Sequence, residues 1–262
     1  MRRFFLICFL VLLVCAACTK YEKLLSGGDY ALKYSTALNL YENGSYNKAA
    51  KLFDNVAGVY RGTNKGDSAA FLQAMSHYLM KDYLLGGNYF ETFYQNFPYS
   101  SFAEEAQYMA AYCTYLQSPS VELDQDMTSK SIELLKAFVS RYPASDRALK
   151  CIDLVEDLQD RLVEKSYLSA KLYFDMGEYK SAIVALTNSL ADYPETGHRQ
   201  ELMFMVLKSK YYLALYSIQS KQIERYQDAI DEYFSYIAEF PEGGDRAEAD
   251  QMYEASRKLV VE

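Results

Sequence analysis

Beyond residue 29, apolar side chains recur every three or four residues along most of the chain, the spacing of one face of an α-helix. This pattern is interrupted by short turns and by four aromatic–proline pairs, Phe97-Pro98, Tyr142-Pro143, Tyr193-Pro194 and Phe240-Pro241. Proline cannot continue a helix, and it moves the residue before it away from helical angles. The pattern therefore predicts consecutive helices joined by turns, with no segment of alternating strand spacing.

Residues 165–197 show how one helix pair is built. Large and small residues stand at fixed places: Tyr173 at the end of the first helix, Gly177 and Tyr179 at the turn, Ala182 at the helix crossing, Leu186 in the core and Pro194 at the end. Glycine supplies the backbone angles that end a helix, and a small residue lets two helix axes approach. This spacing is typical of the tetratricopeptide repeat (TPR), a helix pair of about 34 residues.

The same template fits other parts of the chain, with some departures. Gly44 and Ala49 occupy the turn and crossing positions of a first repeat. In the second repeat Lys81-Asp82 replaces the turn glycine, and Ser101-x-x-Glu104 after it predicts a capping box for the next helix. No helix breaker occurs between Ser145 and Met176, which predicts one long helix of roughly 45 Å at ~1.5 Å per residue.

We therefore predict an all-α fold, a TPR-type helical-repeat solenoid of about five helix pairs plus a C-terminal helix. Residues 30–143 would form N-terminal repeats with a substrate groove. Residues 144–262 would contain the long linking helix and C-terminal repeats that bind a partner. Residues 1–17 are predicted to be a lipoprotein signal peptide, and residues 18–29 a lipidated cysteine with its tether.

The N-terminus has the composition of a leader. Arg2 and Arg3 precede an apolar run over residues 4–14, which is short for a membrane-spanning helix. Cys15-Ala16-Ala17-Cys18 follows and resembles the bacterial lipobox, although Cys15 stands where leucine is usual. The resemblance implies cleavage before Cys18 and acylation of that residue, and several acyl chains make a durable anchor. An ordinary signal peptide with a coincidental cysteine is the alternative.

Charge and side-chain chemistry exclude several classes of function. The formal net charge is −8 and no Lys/Arg block is present, which argues against nucleic acid as a partner and against a polybasic grip on lipid. No Gly-rich phosphate loop or His/Cys cluster with metal-ligand spacing occurs, so we predict no cofactor, metal site or catalytic residue. Core or capping roles are expected for His77 and His198. Cys113 and Cys151 lie in apolar helical patterns, which favours buried thiols over a disulfide.

In this repeat class the first helix of each pair lines a concave surface, so binding is the expected function. An aromatic and methionine-lined groove suits an extended or amphipathic peptide. Packing within the core between repeats is the alternative role for the same side chains. The candidate groove residues are Tyr34, Leu38 and Tyr41 in the first repeat and Phe71, Met75 and Tyr78 in the second.

Two stretches, HYLMKDYLLGGNYFETFYQNFP with YMAAY after it, and the segment from AFVSRYP to SLADYPET, resemble the YfiO/ComL (BamD) family of outer-membrane lipoproteins. The resemblance covers nearly all of the chain after the leader. It implies a lipid-anchored protein on the periplasmic face of the outer membrane. It further implies binding to the POTRA domains of a BamA-like barrel protein through the C-terminal repeats, and to unfolded outer-membrane β-barrel proteins through the N-terminal ones.

Other classes remain open from sequence alone. A pilotin-like lipoprotein for secretin assembly also uses such repeats but lacks the long linking helix. A SusD-like glycan-binding lipoprotein is usually longer, and sugar platforms favour tryptophan, which is absent. At the C-terminal end, Arg199 is the candidate partner contact. It opens a helix whose N-terminus is already positive, so a partner carboxylate would stabilise it. A solvated surface arginine is the alternative.

Overall fold

The computed structural model describes residues 20–261. Within this range the chain consists of helices and turns, with no strand, and a helical segment over residues 20–26 precedes eleven longer helices. No helix in the described range combines the length and the apolar character needed to cross a membrane. The helices are α1 Tyr30–Glu42, α2 Tyr46–Ala57, α3 Asn64–Leu79, α4 Tyr83–Asn96, α5 Ala103–Tyr115, α6 Asp126–Arg141, α7 Ala148–Asp175, α8 Tyr179–Asp192, α9 Arg199–Leu215, α10 Gln219–Glu239 and α11 Arg246–Val261.

The prediction of an all-α helical-repeat fold is confirmed by this order, with five helix pairs from α1–α2 to α9–α10 followed by α11. The predicted long helix is α7, with 28 residues and a length of about 42 Å. The chain divides into two compact units. The first unit takes in the residues up to Pro119 together with Gln125–Leu158, and the second takes in Ser120–Asp124 and the residues from Gln159 onward. The division falls inside α7, whereas the sequence placed it after residue 143.

Three turns that join the two helices of a pair have the same backbone conformation. Gly44, Lys81 and Gly177 adopt left-handed angles with φ of 73°, 62° and 76°. After α7, the Gly177 N–H donates to the Phe174 carbonyl at 2.9 Å and the next N–H donates five residues back to Tyr173 at 3.0 Å. The other two turns repeat this pair of hydrogen bonds, which is the Schellman motif. The structure thus shows that Lys81 takes the place of the expected turn glycine.

The four aromatic–proline pairs end their helices in nearly identical geometry. Phe97, Tyr142, Tyr193 and Phe240 have φ between −124° and −132° and ψ between 58° and 69°. In each case the residue before proline still donates its N–H to the carbonyl four residues back, and then leaves the helical region. The predicted terminators are therefore confirmed.

The predicted capping box at Ser101 and Glu104 is wrong. Helix α5 begins at Ala103 after Phe102, and no side chain caps its N-terminus. The Glu104 carboxylate instead accepts a hydrogen bond from the Ser145 hydroxyl at 2.6 Å, and Arg147 lies 3.8 Å away. A tertiary contact 41 residues away along the chain has thus taken the side chain that the local motif required.

The core of the first unit depends on close helix packing. Gly87 on α4 lies so near α5 that an added Cβ would stand 3.2 Å from the Cβ of Cys113. Gly86 lies equally close to α3, because a Cβ added to it would stand 3.1 Å from the Tyr78 backbone nitrogen. These two glycines therefore serve close helix packing. Fully buried side chains in this unit include Leu52, Phe53, Phe90, Phe93, Leu135 and Phe138.

In the second unit the template residues Ala182 and Leu186 are buried, whereas Tyr173 is 44% exposed. Ala182 and Leu186 have no exposed surface and pack with Tyr167, Ala170 and Leu202. A second cluster joins α9, α10 and α11 around Tyr236, which is also fully buried. Burial of a leucine such as Leu186 or Leu202 contributes about 1.5–3 kcal/mol, so two positions of the repeat template, Ala182 and Leu186, belong to the core of this unit.

Residues 20–26 pack on the first repeat rather than forming an extended tether. Tyr21 donates its hydroxyl to the Lys48 carbonyl at 2.9 Å, and Leu24 and Leu25 lie against the core of α1 and α2. Lys33, only 2% exposed, donates its ammonium to the Leu25 carbonyl at 2.8 Å and to the Asn55 side chain at 3.0 Å. The helical segment is thus held against the repeat by both apolar and polar contacts.

Candidate binding surfaces

The three groove candidates of the first repeat lie on α1 and are half-buried. Tyr34, Leu38 and Tyr41 pack against the core of that repeat. Tyr34 makes an edge contact with Tyr60, and Tyr41 makes edge contacts with Tyr46 and Phe53. These contacts fit the packing role that the sequence left open, and peptide binding by the exposed parts of the rings stays a prediction.

The candidates of the second repeat, on α3, divide into different environments. Phe71 is 5% exposed and its ring lies 4.7–5.7 Å from those of Phe90, Phe93 and Phe102, so it belongs to the core and offers little surface to a ligand. Met75 is half-buried. Tyr78 is also half-buried, and its ring lies near a row of tyrosines on α5.

This row, here called the tyrosine stripe, consists of Tyr108, Tyr112 and Tyr115 on α5. The rings of neighbouring members stack at centroid distances of 5.7 Å and 5.8 Å with nearly parallel planes. Tyr78 on α3 joins Tyr112 at 6.4 Å. Positions i, i+4 and i+7 share one helix face. The tyrosine spacing in YMAAYCTY therefore indicated this stripe, although these tyrosines were not among the predicted site residues.

Two cations at the start of α7 lie beside the tyrosine stripe. Arg147 lies 5.5 Å from the Tyr108 ring centroid and is neutralised by Glu105 at 3.5 Å and Glu104 at 3.8 Å. The Lys150 ammonium lies 5.1 Å from the Tyr112 ring centroid and 5.8 Å from that of Tyr108. The Tyr108 side chain, as a hydrogen-bonding neighbour, raises the pKa of Lys150, which is therefore a cation at neutral pH.

Arg199 pairs with a carboxylate of the same chain. Its guanidinium makes a two-pronged contact with Glu239 at the end of α10, and Nη1 donates to the Pro194 carbonyl at 3.2 Å. The hydrogen bond with Glu239 raises the pKa of Arg199, and the hydrogen bond from Arg199 lowers that of Glu239. The reason for expecting a partner carboxylate is thereby removed, so Arg199 as a partner contact stays a prediction without that support.

Arg246 repeats this arrangement one repeat later. It opens α11, donates to the Pro241 carbonyl at 3.0 Å and pairs with Asp250 at 2.7 Å. Tyr233 donates its hydroxyl to the same carboxylate at 2.7 Å. Both arginines stand five residues after a helix-ending proline, so the recurring spacing Pro-x4-Arg was a signal in the sequence for an internal clamp.

The second unit contains a cleft of about 480 Å³ between α7 and α9. Phe174, Phe204 and Met205 are its apolar lining. Lys208 lies 5.1 Å from the Phe204 ring centroid and pairs with Glu248 at 2.8 Å, and Lys171 pairs with Asp175 at 3.0 Å. The two lysines that line this cleft are therefore paired with carboxylates of the same chain.

An apolar surface is formed by the end of α7 and by α8. Tyr173, Val184 and Ala185 line a shallow groove of about 520 Å³ together with polar residues of α8. Leu172 and Met176 nearby are 58% and 64% exposed. Contiguous exposed apolar residues often mark interaction surfaces, so this groove is the candidate partner surface of the second unit.

The histidines and cysteines occupy packed positions. His77 pairs with Asp82 at 3.3 Å, and His198, which precedes α9, stacks on Tyr167 at 3.9 Å. Cys113 and Cys151 are buried and unpaired, as predicted, and burial raises their thiol pKa values to about 12 and about 11. No group of three or more potential metal ligands occurs among residues 20–261. The predicted lipidation site, Cys18, lies outside the described residues.

Paired helices with TPR turns and exposed grooves define a helical-repeat protein, a class whose extended surfaces commonly bind other proteins. A family model described as "Outer membrane lipoprotein", YfiO, matches residues 29–226. The chain belongs to this family.

Two curated relatives and one solved structure illustrate the similarity. The outer membrane protein assembly factor BamD of Caulobacter vibrioides is 23% identical over 178 residues, covering 68% of this chain, and this chain spans only 58% of that protein. BamD of Rickettsia prowazekii is 25% identical over 190 residues, covering 71% of this chain and 74% of the relative. The yeast Sti1 TPR2AB domain in complex with pHSP90 is 13% identical with a TM-score of 0.41, covering 88% of this chain and 100% of that one. That score adds nothing to the fold description, which rests on the helices themselves.

Proposed function

We propose that this protein is a non-catalytic scaffold subunit of the machinery that assembles β-barrel proteins in the outer membrane. The observation that carries the proposal is the family match over residues 29–226, on a fold made of TPR-like helix pairs. Its relatives from Caulobacter and Rickettsia are named assembly factors, which favours this role over a pilotin or a glycan-binding lipoprotein.

The test of this role is depletion followed by complementation. Depletion of the protein is expected to lower the amount of folded β-barrel proteins in the outer membrane, measured by heat-modifiable mobility on gels. The wild-type gene restores them. Unchanged barrel levels after depletion, with defects confined to secretin rings or glycan uptake, would contradict the proposal.

The protein is anchored at the periplasmic face of the outer membrane through acylated Cys18. The family description and the lipobox-like Cys15-Ala16-Ala17-Cys18 support this location. Cys18→Ser is expected to abolish fatty-acid labelling and to release the protein from outer membranes. Cys8→Ser, in the apolar run of the leader, is the matched control and should keep both. Labelling that survives in the Cys18→Ser protein refutes the anchor.

The two compact units bind different partners. The second unit binds the POTRA domains of a BamA-like barrel protein, and the first unit binds unfolded barrel proteins. The exposed apolar groove beside Val184 and Met176 supports a protein contact on the second unit.

Val184→Asp tests this groove most directly, because the Val184 side chain is 59% exposed and a charge there leaves the core intact. It is expected to lower copurification of the BamA-like protein at least about tenfold, the effect of losing ~1.4 kcal/mol. Leu149→Asp places the same charge at another exposed apolar site, in the first unit, and should leave this copurification unchanged. Equal yields from both variants would remove the groove from the interface.

A further inference from the structure

Four apolar side chains surround the turn between α3 and α4 at the surface of the first unit. Leu84 and Leu85, in the first turn of α4, are 61% and 42% exposed, and Leu79, the last residue of α3, is 39% exposed. Met80 follows Leu79 and is half-buried. These four residues are here called the turn patch. Turns are usually built from small and polar residues, and grouped exposed apolar residues mark contact with a protein or a membrane.

The turn patch adjoins the corresponding turn of the first repeat. Met80 lines a shallow groove of about 340 Å³ together with residues 44–48, which form the turn between α1 and α2 and the start of α2. The two successive turns therefore lie side by side and form one edge of the first unit.

The N-terminal segment begins at this same edge. Tyr21 donates its hydroxyl to the Lys48 carbonyl at 2.9 Å, and the Lys48 ammonium lies 5.5 Å from the Tyr21 ring centroid. Cys18 precedes Tyr21 by three residues, so their Cα atoms are at most about 11.4 Å apart at 3.8 Å per step. A bilayer that holds acyl chains on Cys18 must therefore pass close to the groove and the turn patch.

The charges at this edge are compatible with a lipid surface. Lys20, Lys48 and Lys81 are exposed, and among residues 20–261 none of them forms an ion pair. A lysine can lay its aliphatic stem along apolar surface while its ammonium reaches a lipid phosphate. Glu22, in the N-terminal segment, and Glu42, at the end of α1, reduce the local net charge. Apolar contact rather than charge therefore dominates at this edge.

We propose that the turn patch is a second membrane contact, which lies in the interfacial region of the bilayer that holds acylated Cys18. The inference rests on the proposed anchor and goes beyond it, because it names a part of the folded repeats that touches lipid. A protein partner or a second copy of the chain would also cover an apolar patch. The short chain to Cys18 and the unpaired lysines favour lipid.

The absence of tryptophan from the chain makes a direct test possible. Leu84→Trp introduces a single fluorescent probe into the full mature acylated protein, which is reconstituted in vesicles of phosphatidylethanolamine and phosphatidylglycerol. An interfacial side chain reaches about 5–10 Å into the boundary between headgroups and acyl chains, so we expect lipids with brominated acyl chains to lower the emission at least about twofold. The emission should also shift to shorter wavelength. Leu85→Trp is a second probe of the same patch, should one variant fail to fold.

Val59→Trp is the matched control in the same unit. Val59 is 52% exposed and follows the far end of α2, a helix of 12 residues whose ends are about 18 Å apart. Brominated lipids should leave the emission of this variant unchanged. Emission of the two turn-patch variants that is insensitive to brominated lipid would overturn the proposal, and so would equal quenching of Val59→Trp.

The same samples separate the other occupants and the anchor. If a second copy covered the patch, Leu84→Trp emission would shift with protein concentration in detergent and would not respond to brominated lipid, which contradicts the proposal. Failure of the acylated protein to float with the vesicles would refute the anchor and this inference together. Flotation without quenching would refute the turn patch alone. None of these measurements depends on barrel assembly, so their failure differs from failure of the depletion experiment.

Discussion

Two kinds of cation can be compared across the two units of the molecule. In the second unit, Arg199 and Arg246 each hold a carboxylate and a proline carbonyl of the same chain. In the first unit, the Lys150 ammonium lies near the rings of Tyr108 and Tyr112 and forms no ion pair within residues 20–261. A cation tied by its own chain stabilises the fold, whereas an uncompensated cation beside hydroxyl groups can bind a ligand. The units differ in their turns as well, since the second uses Gly177 where the first uses Lys81 at one of its turns.

The largest expected effect comes from the turn of the second unit. Gly177→Val places a β-branched residue at φ 76°, and strain of this kind costs about 1–3 kcal/mol. Thermal unfolding of the variant should show a lower midpoint. Gly197→Val is the control, because an added Cβ there meets no atom within 4 Å and its φ is not in the left-handed region. Equal midpoints for the two variants would mean that the Gly177 turn is not left-handed.

The next effect compares the two kinds of cation directly. Arg199→Met should destabilise the protein by about 0.5–1 kcal/mol, because a partly exposed bidentate ion pair is lost. Lys150→Met should change the free energy of unfolding by less than about 0.5 kcal/mol, as for surface substitutions away from structural contacts. Denaturant unfolding of both variants measures this difference. A larger loss from Lys150→Met than from Arg199→Met would reverse the comparison.

A smaller gain is expected at the corresponding turn of the first unit. Lys81→Gly should stabilise the protein by about 0.5 kcal/mol, because relief of left-handed strain exceeds the added entropy of the unfolded chain. Lys136→Gly, inside helix α6, should instead destabilise it by about 1 kcal/mol. Opposite signs in the two unfolding experiments support the difference between the sites, and destabilisation by both would contradict it.

The smallest effect is a dependence on pH. The hydrogen bond from Arg199 lowers the pKa of Glu239 below its ordinary value of 4.5. A lowered folded-state pKa contributes stability that is present above 4.5 and is lost as the pH falls through the folded value. The gap between the melting midpoints of wild type and Arg199→Met should therefore shrink from pH 7 to strongly acidic pH. A gap that widens on acidification would show that Glu239 is not the partner.

The repeat pattern predicted the helices well because local chemistry decides them. Aromatic–proline pairs ended four helices, and Gly44 and Gly177 took left-handed angles, because these residue types restrict or release the backbone directly. The capping box at Ser101 failed for the opposite reason. Its glutamate was taken by Ser145 and Arg147, which lie in another repeat and which no local rule anticipates.

The candidate surfaces were harder to predict because they depend on burial and on distant partners. Phe71 and Tyr78 share a helix face in the sequence, yet Phe71 lies among phenylalanines from α4 and the loop before α5, and Tyr78 lies near Tyr112. Helical spacing states which residues share a face but not how deep that face is buried. Likewise, the charge of Arg199 was visible in the sequence, whereas Glu239, 40 residues later, was not an evident partner.

If Cys18 carries the proposed acyl anchor, the packing of residues 20–26 on the first repeat limits how far that repeat can move from the membrane. Only Thr19 separates Cys18 from residue 20, so an acylated Cys18 would lie no more than about 7.6 Å of chain away from that helical segment, at 3.8 Å per Cα step. Lys33 and the apolar contacts of Leu24 and Leu25 hold the segment in place. The proposed anchor would then hold the first repeat close to the membrane surface.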